Sequence, residues 1–145
     1  MLVQFTIPGP PVGKGRPRFA RMKAKDGRDF VRTYSPKETD RYENKVSLAY
    51  RQVHAGPPAE GPVKLQVCAY FPIPQSWSNK KKEYAKLNQI PVTVKPDIDN
   101  ICKVLLDGLN GIAFADDKQV FSLTCHKFYS DIPRTVVAIT EVLPL

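Results

Sequence analysis

The chain has 145 residues, of which 42% are hydrophobic and 25% are charged, and its formal net charge at pH 7 is +8. This length fits one domain with one core, and the composition is that of a soluble globular protein rather than a fibrous or membrane protein. The excess of lysine and arginine indicates an anionic partner. Nucleic acid fits better than a membrane surface because no long basic amphipathic helix is evident.

Cysteine usage and the start of the sequence indicate the compartment. Cys68, Cys102 and Cys125 are far apart and form no CxxC pair, which argues against a disulfide framework and against a zinc site. The first residues carry no basic leader and are broken by Pro8, and no apolar run is long enough to span a bilayer. We therefore expect one domain over residues 1–145, in the reducing cytoplasm and without a membrane.

Periodicity and composition predict the elements in chain order. Residues 2–7 form a first strand, which Pro8 and Gly9 end. Residues 8–29 hold four prolines, four glycines and seven basic residues, so we expect a basic loop that buries no core. The remaining predicted elements are a short strand over 30–35, a helix over 36–54, a strand over 63–71, a basic helix over 76–88, a helix over 98–110, and strands over 118–128 and 134–142.

The two longest predicted helices carry apolar stripes at helical spacing. In the helix over 36–54, Ser35 and Glu38 have the spacing of a capping box and Pro36 is placed at the first helical position. Its predicted buried residues are Tyr42, Val46, Ala49, Tyr50 and Val53. Those of the helix over 98–110 are Ile101, Val104, Leu105, Gly108 and Leu109. The order of elements predicts an α+β fold, with one mixed sheet packed against these two main helices.

Five of the fourteen acidic residues lie between positions 97 and 117, although the chain is strongly basic. Pro96 keeps the residue before it out of the helical region, so the chain enters Asp97 in an extended conformation. Asp97 and Asp99 can then direct their carboxylates to one side. The helix should begin near 98–100, which places Lys103 one turn from the pair.

Taken singly, these acidic residues have ordinary structural interpretations. An aspartate before a helix is a common cap, and Asp116-Asp117 before a strand is a common turn. Taken together they indicate a cation site, because gathered carboxylates repel one another without a cation. Oxygen ligands without histidine or cysteine suit Mg²⁺ or Mn²⁺, and magnesium in a basic protein indicates phosphodiester chemistry.

The segment KPDIDNICKVLLDGLNGIAFADDKQV, residues 95–120, resembles the RusA family of Holliday-junction resolvases. The segments IPGPPVGKGRPRF and TYSPKETDRYE are similar to the start of that family, so the resemblance covers most of the chain. The resemblance implies magnesium-dependent endonucleases that act as homodimers and leave a 5′-phosphate and a 3′-hydroxyl. It implies catalytic carboxylates at Asp97, Asp99 and Asp117 and an essential lysine at Lys103. Additional candidates are Asp116 and Asn100.

The basic segment supplies the candidate DNA contacts. Phe19 lies among its cations, and an aromatic residue between basic ones suits phosphate contacts plus stacking or wedging at an unpaired base. The alternative is a solvated loop. The candidate DNA-binding residues are Lys14, Arg16, Arg18, Arg21, Lys23 and Lys25.

We therefore predict a magnesium-dependent endonuclease, with Mn²⁺ as a substitute, that resolves four-way DNA junctions by paired nicks in recombination and repair. Two cuts on a two-fold substrate require two sites, so we expect a homodimer whose interface lies on the strands over 120–128 and 136–143. The alternatives are a non-catalytic phage or prophage DNA-binding regulator, and a nuclease of this fold that prefers flaps, forks or RNA. The number of metal ions, and the choice between Asp116 and Asp117 as ligand, stay open.

Overall fold

A computed structural model describes residues 2–34 and 36–143, and three α-helices and six strands occur in this part of the chain. In chain order they are β1 (Leu2–Pro8), β2 (Arg18–Lys23), β3 (Asp29–Tyr34), α1 (Lys37–Val53), β4 (Val63–Pro72), α2 (Asn79–Lys86), α3 (Ile98–Leu109), β5 (Val120–Ser130) and β6 (Arg134–Glu141). A single turn of 3-10 helix, Asp117–Gln119, precedes β5. Within the described residues, no helix has both the length and the apolar character needed to cross a bilayer.

Four strands form one mixed sheet in the order β1-β6-β4-β5. β6 runs antiparallel to both of its neighbours, whereas β4 and β5 run parallel to each other. Parallel neighbours need a long crossover connection, and the segment between β4 and β5 contains both α2 and α3. The predicted α+β class, the single domain and the mixed sheet are confirmed.

One face of this sheet forms the core together with α1 and α3. β4 alternates as predicted, and the predicted buried side of α3 is buried at all five positions. On α1 the prediction is correct for Tyr42, Val46, Ala49 and Tyr50 but wrong for Val53, which is 54% exposed. Val53 is the last residue of α1, and the chain turns into an extended conformation at the next residue, so no further turn carries it onto the core.

α1 and α3 pack closely because Gly108 has no side chain. A Cβ atom at Gly108 would lie 3.0 Å from the carbonyl oxygen of Glu43 and 3.0 Å from the Cβ of Val46. The hydroxyl of Ser47 also donates a hydrogen bond of 2.6 Å to the carbonyl of Gly108. These contacts fix α3, and with it the turn at its N-terminal end that carries Asp97 and Asp99, which is called the acidic turn below.

The prediction of one basic loop over residues 8–29 is wrong. β2 and β3 pair antiparallel, from Arg18 with Tyr34 to Lys23 with Asp29. All four prolines of the segment precede residue 18, and Gly27 in the connecting turn has a φ of +86°. Composition does not predict this hairpin, because its two strands satisfy their backbone groups by pairing with each other and not by burying side chains. Residues 18–34 are called the basic arm below.

The other element boundaries differ less from the prediction. α1 begins at Lys37 with Pro36 as its N-cap residue, not as its first helical residue, and Ser35 lies outside the described residues. α2 spans eight residues rather than the predicted 76–88. It is shorter because Ser78 is the N-cap, with its side chain accepting a hydrogen bond of 3.2 Å from the Lys81 N–H, and Leu87 already leaves the helix.

Lys14 fixes the chain before the basic arm to both main helices. Its Nζ lies 2.7 Å from Glu43 Oε1 on α1 and 2.8 Å from Asp107 Oδ2 on α3. Its backbone N–H donates a hydrogen bond of 2.9 Å to the carbonyl of Asn100. Burial acts to lower the pKa of Lys14, but hydrogen bonds to Asp107 and Glu43 outweigh this effect and raise the pKa above 10.5.

The glycines on either side of Lys14 complete this attachment. A Cβ atom at Gly13 would lie 2.8 Å from the Cβ of Pro96, so only glycine permits so close an approach. The backbone N–H of Gly15 donates a hydrogen bond of 3.0 Å to the hydroxyl of the buried Thr39 on α1. Residues 13–15 therefore form the root of the basic arm, held beside the start of α3.

The packing of α3 predicts a large difference between two leucine substitutions. Leu105 is 1% exposed and Leu48 on α1 is 59% exposed. Leu105→Ala removes core contacts and leaves a cavity, so it should lower the free energy of unfolding by about 2–5 kcal/mol. Leu48→Ala should change it by less than about 0.5 kcal/mol. Urea denaturation followed by circular dichroism measures both, and equal losses would contradict this placement of α3.

The root of the arm predicts a pH-dependent contribution to stability. Lys14→Met removes the cation shared by two carboxylates and should lower the free energy of unfolding by roughly 1–2 kcal/mol at neutral pH. Because the pKa of Lys14 is raised on folding, its contribution is complete below pH 10.5 and is lost as the pH rises through the raised pKa. Urea denaturation at neutral and strongly alkaline pH measures the difference, with Lys23→Met on the exposed arm as the control. A difference that grows at alkaline pH would contradict the ion pairs.

Candidate active site

The first turn of α3 carries the acidic motif. Asp97 has an extended backbone, with φ −70° and ψ 155°, and the helix begins at Ile98, as the sequence predicted. The peptide bond between Lys95 and Pro96 is cis. Asp97 occupies the N-cap position, yet its side chain accepts no capping hydrogen bond. Its carboxylate is exposed and is not used to cap the helix.

An open pocket of about 470 Å³ lies between the root of the basic arm and the start of α3. Asp97 and Asn100 line it from α3 and the residue before it. Three basic side chains, those of Lys14, Arg16 and Lys95, line it as well. The pocket therefore combines one exposed carboxylate with several cations, which suits a phosphate group that approaches a carboxylate-bound cation.

Lys103 and Asp99 lie one turn apart on the exposed face of α3. Lys103 Nζ is 3.7 Å from Asp99 Oδ2, and both side chains are more than 60% exposed. A solvent-exposed pair at this spacing contributes little to stability. Both groups therefore remain accessible to a ligand from solvent.

Asp116 caps the 3-10 helix before β5. Its carboxylate accepts a hydrogen bond of 3.0 Å from the Lys118 N–H, and its own N–H donates one of 2.8 Å to Gln119 Oε1. The amide of Gln119 in turn donates to the carbonyls of Ala59 and Gly61. Asp116 thus has the structural role that a turn aspartate commonly has, and this role distinguishes it from Asp117.

The two adjacent carboxyl groups differ in pKa. A hydrogen bond from the backbone of Lys118, followed by one with Asp117, lowers the pKa of Asp116. The hydrogen bond with Asp116, then a slight loss of hydration and the charges of Asp116 and Asp107, raise the pKa of Asp117. The negative charges of Asp116 and of Asp107 on α3 therefore both act on Asp117. A bound cation would offset them and favour the ionised form of Asp117.

The structure does not bring the predicted metal ligands into one preformed cluster. Within residues 2–34 and 36–143, no three side chains of His, Cys, Asp or Glu are grouped so that they could hold a metal ion. The chemistry of the donor set does fit magnesium, since Asp97, Asp99 and Asp117 are exposed carboxylates and none of them caps a helix through its side chain.

The six candidate DNA contacts lie in three places along the chain. Lys14 belongs to the root and is engaged by two carboxylates. Arg16 lines the pocket, and the other four candidates lie in the basic arm, on β2 and in its turn. Thr39 and Glu43, which hold the root, carry no signal in the sequence that identifies them. Their spacing of four residues on α1 places them on one side of the helix, but nothing local shows that this side meets Lys14.

The chain is similar to known proteins over both the basic arm and the acidic residues. The family described as Endodeoxyribonuclease RusA matches residues 8–140, a range that includes the arm, its root and the acidic residues. A relative from Bacillus subtilis (strain 168), Uncharacterized protein YqaN, is 39% identical over 142 residues, which are 97% of this chain and 96% of the relative. The chain therefore belongs to the RusA family of endodeoxyribonucleases.

Proposed function

We propose that the protein is a magnesium-dependent DNA endonuclease that resolves Holliday junctions by paired nicks on opposing strands. The observation that supports it most is the Asp97 carboxylate, exposed and unused as a cap, beside the basic root of the arm. A carboxylate that served only as a helix cap would accept a hydrogen bond from the first turn. In an endodeoxyribonuclease family, a free carboxylate among cations favours catalysis over a purely structural role.

In this proposal Asp97, Asp99 and Asp117 hold Mg²⁺. When bound, the ion would lower the pKa of a coordinated water and neutralise charge on the scissile phosphate, with Mn²⁺ able to do the same. The Lys103 ammonium, exposed one turn after Asp99, stabilises negative charge that develops on the phosphate. Asn100 is positioned at the pocket and is available to orient the DNA backbone there. The products are a 5′-phosphate and a 3′-hydroxyl.

Binding of DNA in this proposal depends on the cations of the root and the basic arm, and on Arg16 between them. Lys14, through its ion pairs with Glu43 and Asp107, positions the arm beside the acidic turn. Arg16, Arg18, Arg21, Lys23 and Lys25 contact phosphates. The formal net charge of +8 would also draw DNA towards the protein at a distance.

We further propose that two copies act together, because two opposing strands must be cut to separate a four-way junction. The side of the sheet that faces away from the core carries partly buried rings and small apolar residues. The rings of Tyr70 and Phe128 lie 5.6 Å apart, and the guanidinium of Arg134 lies 3.9 Å from the Tyr70 ring. Val136 and Ala138 lie beside them in a shallow pocket. This surface, which includes part of the predicted strands, is the proposed dimer interface.

The carboxylate roles predict loss of cleavage without loss of binding. Asp97→Asn, Asp99→Asn and Asp117→Asn should each reduce nicking of a four-way junction by roughly a thousandfold or more, since cation binding is removed. Junction binding should be retained or become tighter, because a negative charge near phosphate is lost. Lys103→Ala should also lose cleavage and still fold.

The matched controls are Asp131→Asn, an exposed aspartate between β5 and β6, and Asp116→Asn, which can keep the cap through its amide oxygen. Both should nick at nearly the wild-type rate in magnesium. Gel assays of nicking and of junction binding measure all six variants. Cleavage at the wild-type rate by one of the three aspartate variants at positions 97, 99 and 117 would remove that residue from the site. A wild-type protein that never nicks DNA would favour the alternative function of a DNA-binding regulator.

The proposed interface predicts paired cleavage by a dimer. Sedimentation should give a mass of about twice 16.3 kDa, and a cruciform plasmid should become linear with little nicked circle. Phe128→Asp places a charge on the proposed interface and should yield a monomer that only nicks. Phe121→Asp, at a 61% exposed position of β5 outside the proposed interface, is the control and should remain dimeric. A dimeric Phe128→Asp protein would contradict this interface.

A further inference from the structure

The basic arm exposes large apolar side chains that the core does not use. Phe19 is 71% exposed, the highest value among the aromatic residues whose side chains the structure describes, and Val31 is 64% exposed. On the arm, Met22 and Phe30 are exposed to lesser degrees, 38% and 46%. Phe19 and Val31 are the most exposed of the four, and neighbouring exposed apolar side chains with polar residues around them mark a binding surface.

The strand register divides these residues between the two faces of the arm. Phe19 pairs with Thr33 and Arg21 with Val31, so Phe19 and Val31 are diagonal neighbours on one face. Arg21 and Asp29 share that face and form an ion pair of 3.0 Å. Met22 and Phe30 lie directly opposite each other on the second face and shield each other. Phe19 lies opposite the smaller Thr33, so its ring is more accessible to a ligand than the ring of Phe30.

The charge around these residues favours DNA as the occupant. Residues 16–34 hold seven basic and two acidic side chains. Both acids are already paired, Asp29 with Arg21 and Asp26 with Arg28. Among the described residues, no ion pair engages the remaining five cations, which are Arg16, Arg18, Lys23, Lys25 and Arg32. A second copy of so basic an arm would be repelled, whereas the phosphate backbone would be attracted.

The root of the arm determines where Phe19 can reach. Gly15 is fixed to Thr39, and Lys14 to Asn100, beside the pocket that Asp97 lines. Phe19 follows Gly15 by four residues, which is roughly 13 Å of extended chain. The ring is thus placed within reach of the base pairs next to a phosphate held at the acidic turn.

We propose that Phe19 senses the branch point of the DNA, by placing its ring against a base pair exposed there while the cations of the arm hold the flanking phosphates. This inference rests on the proposed function and adds the source of its structure selectivity. In continuous duplex, a wedge must unstack two base pairs, which costs a few kcal/mol. At a branch point the stack is already interrupted, so the ring gains a stacking contact without that cost. The arm cations bind both DNA forms, and Phe19 favours the branched form.

The test compares junction and duplex affinity in full-length protein without divalent cations, so that binding is measured apart from cleavage. Phe19→Ala should weaken binding to a four-way junction by roughly 5- to 100-fold, the loss expected for one stacked base, and leave duplex binding unchanged. Phe30→Ala, on the opposite face, is the matched control and should change neither affinity by more than about twofold. Thermal unfolding of both variants should match wild type, since the arm lies outside the core.

A charge variant separates selectivity from affinity. Arg18→Gln with Lys23→Gln should weaken junction and duplex binding by equal factors and reduce the slope of log affinity against log salt by roughly 2. Phe19→Ala should leave that slope unchanged. A 2-aminopurine base at the branch point should change fluorescence when wild-type protein binds, and this change should disappear with Phe19→Ala.

Several outcomes would overturn the inference. One is an equal effect of Phe19→Ala on both DNA forms, or no effect on either, and another is a loss of selectivity with Phe30→Ala as large as with Phe19→Ala. Wild-type protein that binds junction no better than duplex would also overturn it, whether or not it nicks DNA. Selective binding that depends on Phe19, in a protein without magnesium-dependent nicking, would support the inference and refute the nuclease proposal.

Discussion

Lys14 meets Glu43 from α1 and Asp107 from α3 within 2.8 Å. An ammonium in a partly buried position is unfavourable alone, and the two carboxylates, each on a different helix, make that position favourable. The same loop continues into the basic arm, and the same helix begins at the acidic turn. The placement of the arm relative to the carboxylates therefore depends on this cation, together with the close approach of Gly13 to Pro96 and the backbone hydrogen bonds of Lys14 and Gly15.

Two aspartates at helix starts show how one residue type acquires different uses. Asp116 has a full reciprocal cap with Gln119, and Gln119 is itself tied to the loop at 59–61. Asp97 stands at the equivalent position of a longer helix without such bonds. The difference arises from the surroundings: Asp116 starts one short turn that would fray without a cap, whereas α3 is held by buried contacts along its length. A helix stabilised by packing leaves its first carboxylate available for chemistry.

Much of this architecture could be predicted from the sequence because burial imposes a periodic pattern. The buried face of α3, the alternation of β4 and the extended backbone at Asp97 all followed from spacing and from Pro96. The pairing of β2 with β3 could not be predicted in this way. The composition of a segment shows that it cannot form a core, but it does not show whether two parts of the segment can pair as strands. The contact of Lys14 with Glu43 spans 29 residues of sequence, and no local signal specifies it. The three-carboxylate magnesium site stays a prediction.

The basic arm is bonded mainly within itself, strand to strand, and only its root is tied to the helices. Substitutions on such a ribbon remove few buried contacts, so most of them leave the free energy of the fold nearly unchanged. The acidic turn has no such freedom, because it opens a helix that is packed into the core from Ile101 onward. Over evolutionary time, the surface of the arm can therefore diversify more freely than the acidic turn, which the core beneath it holds in place.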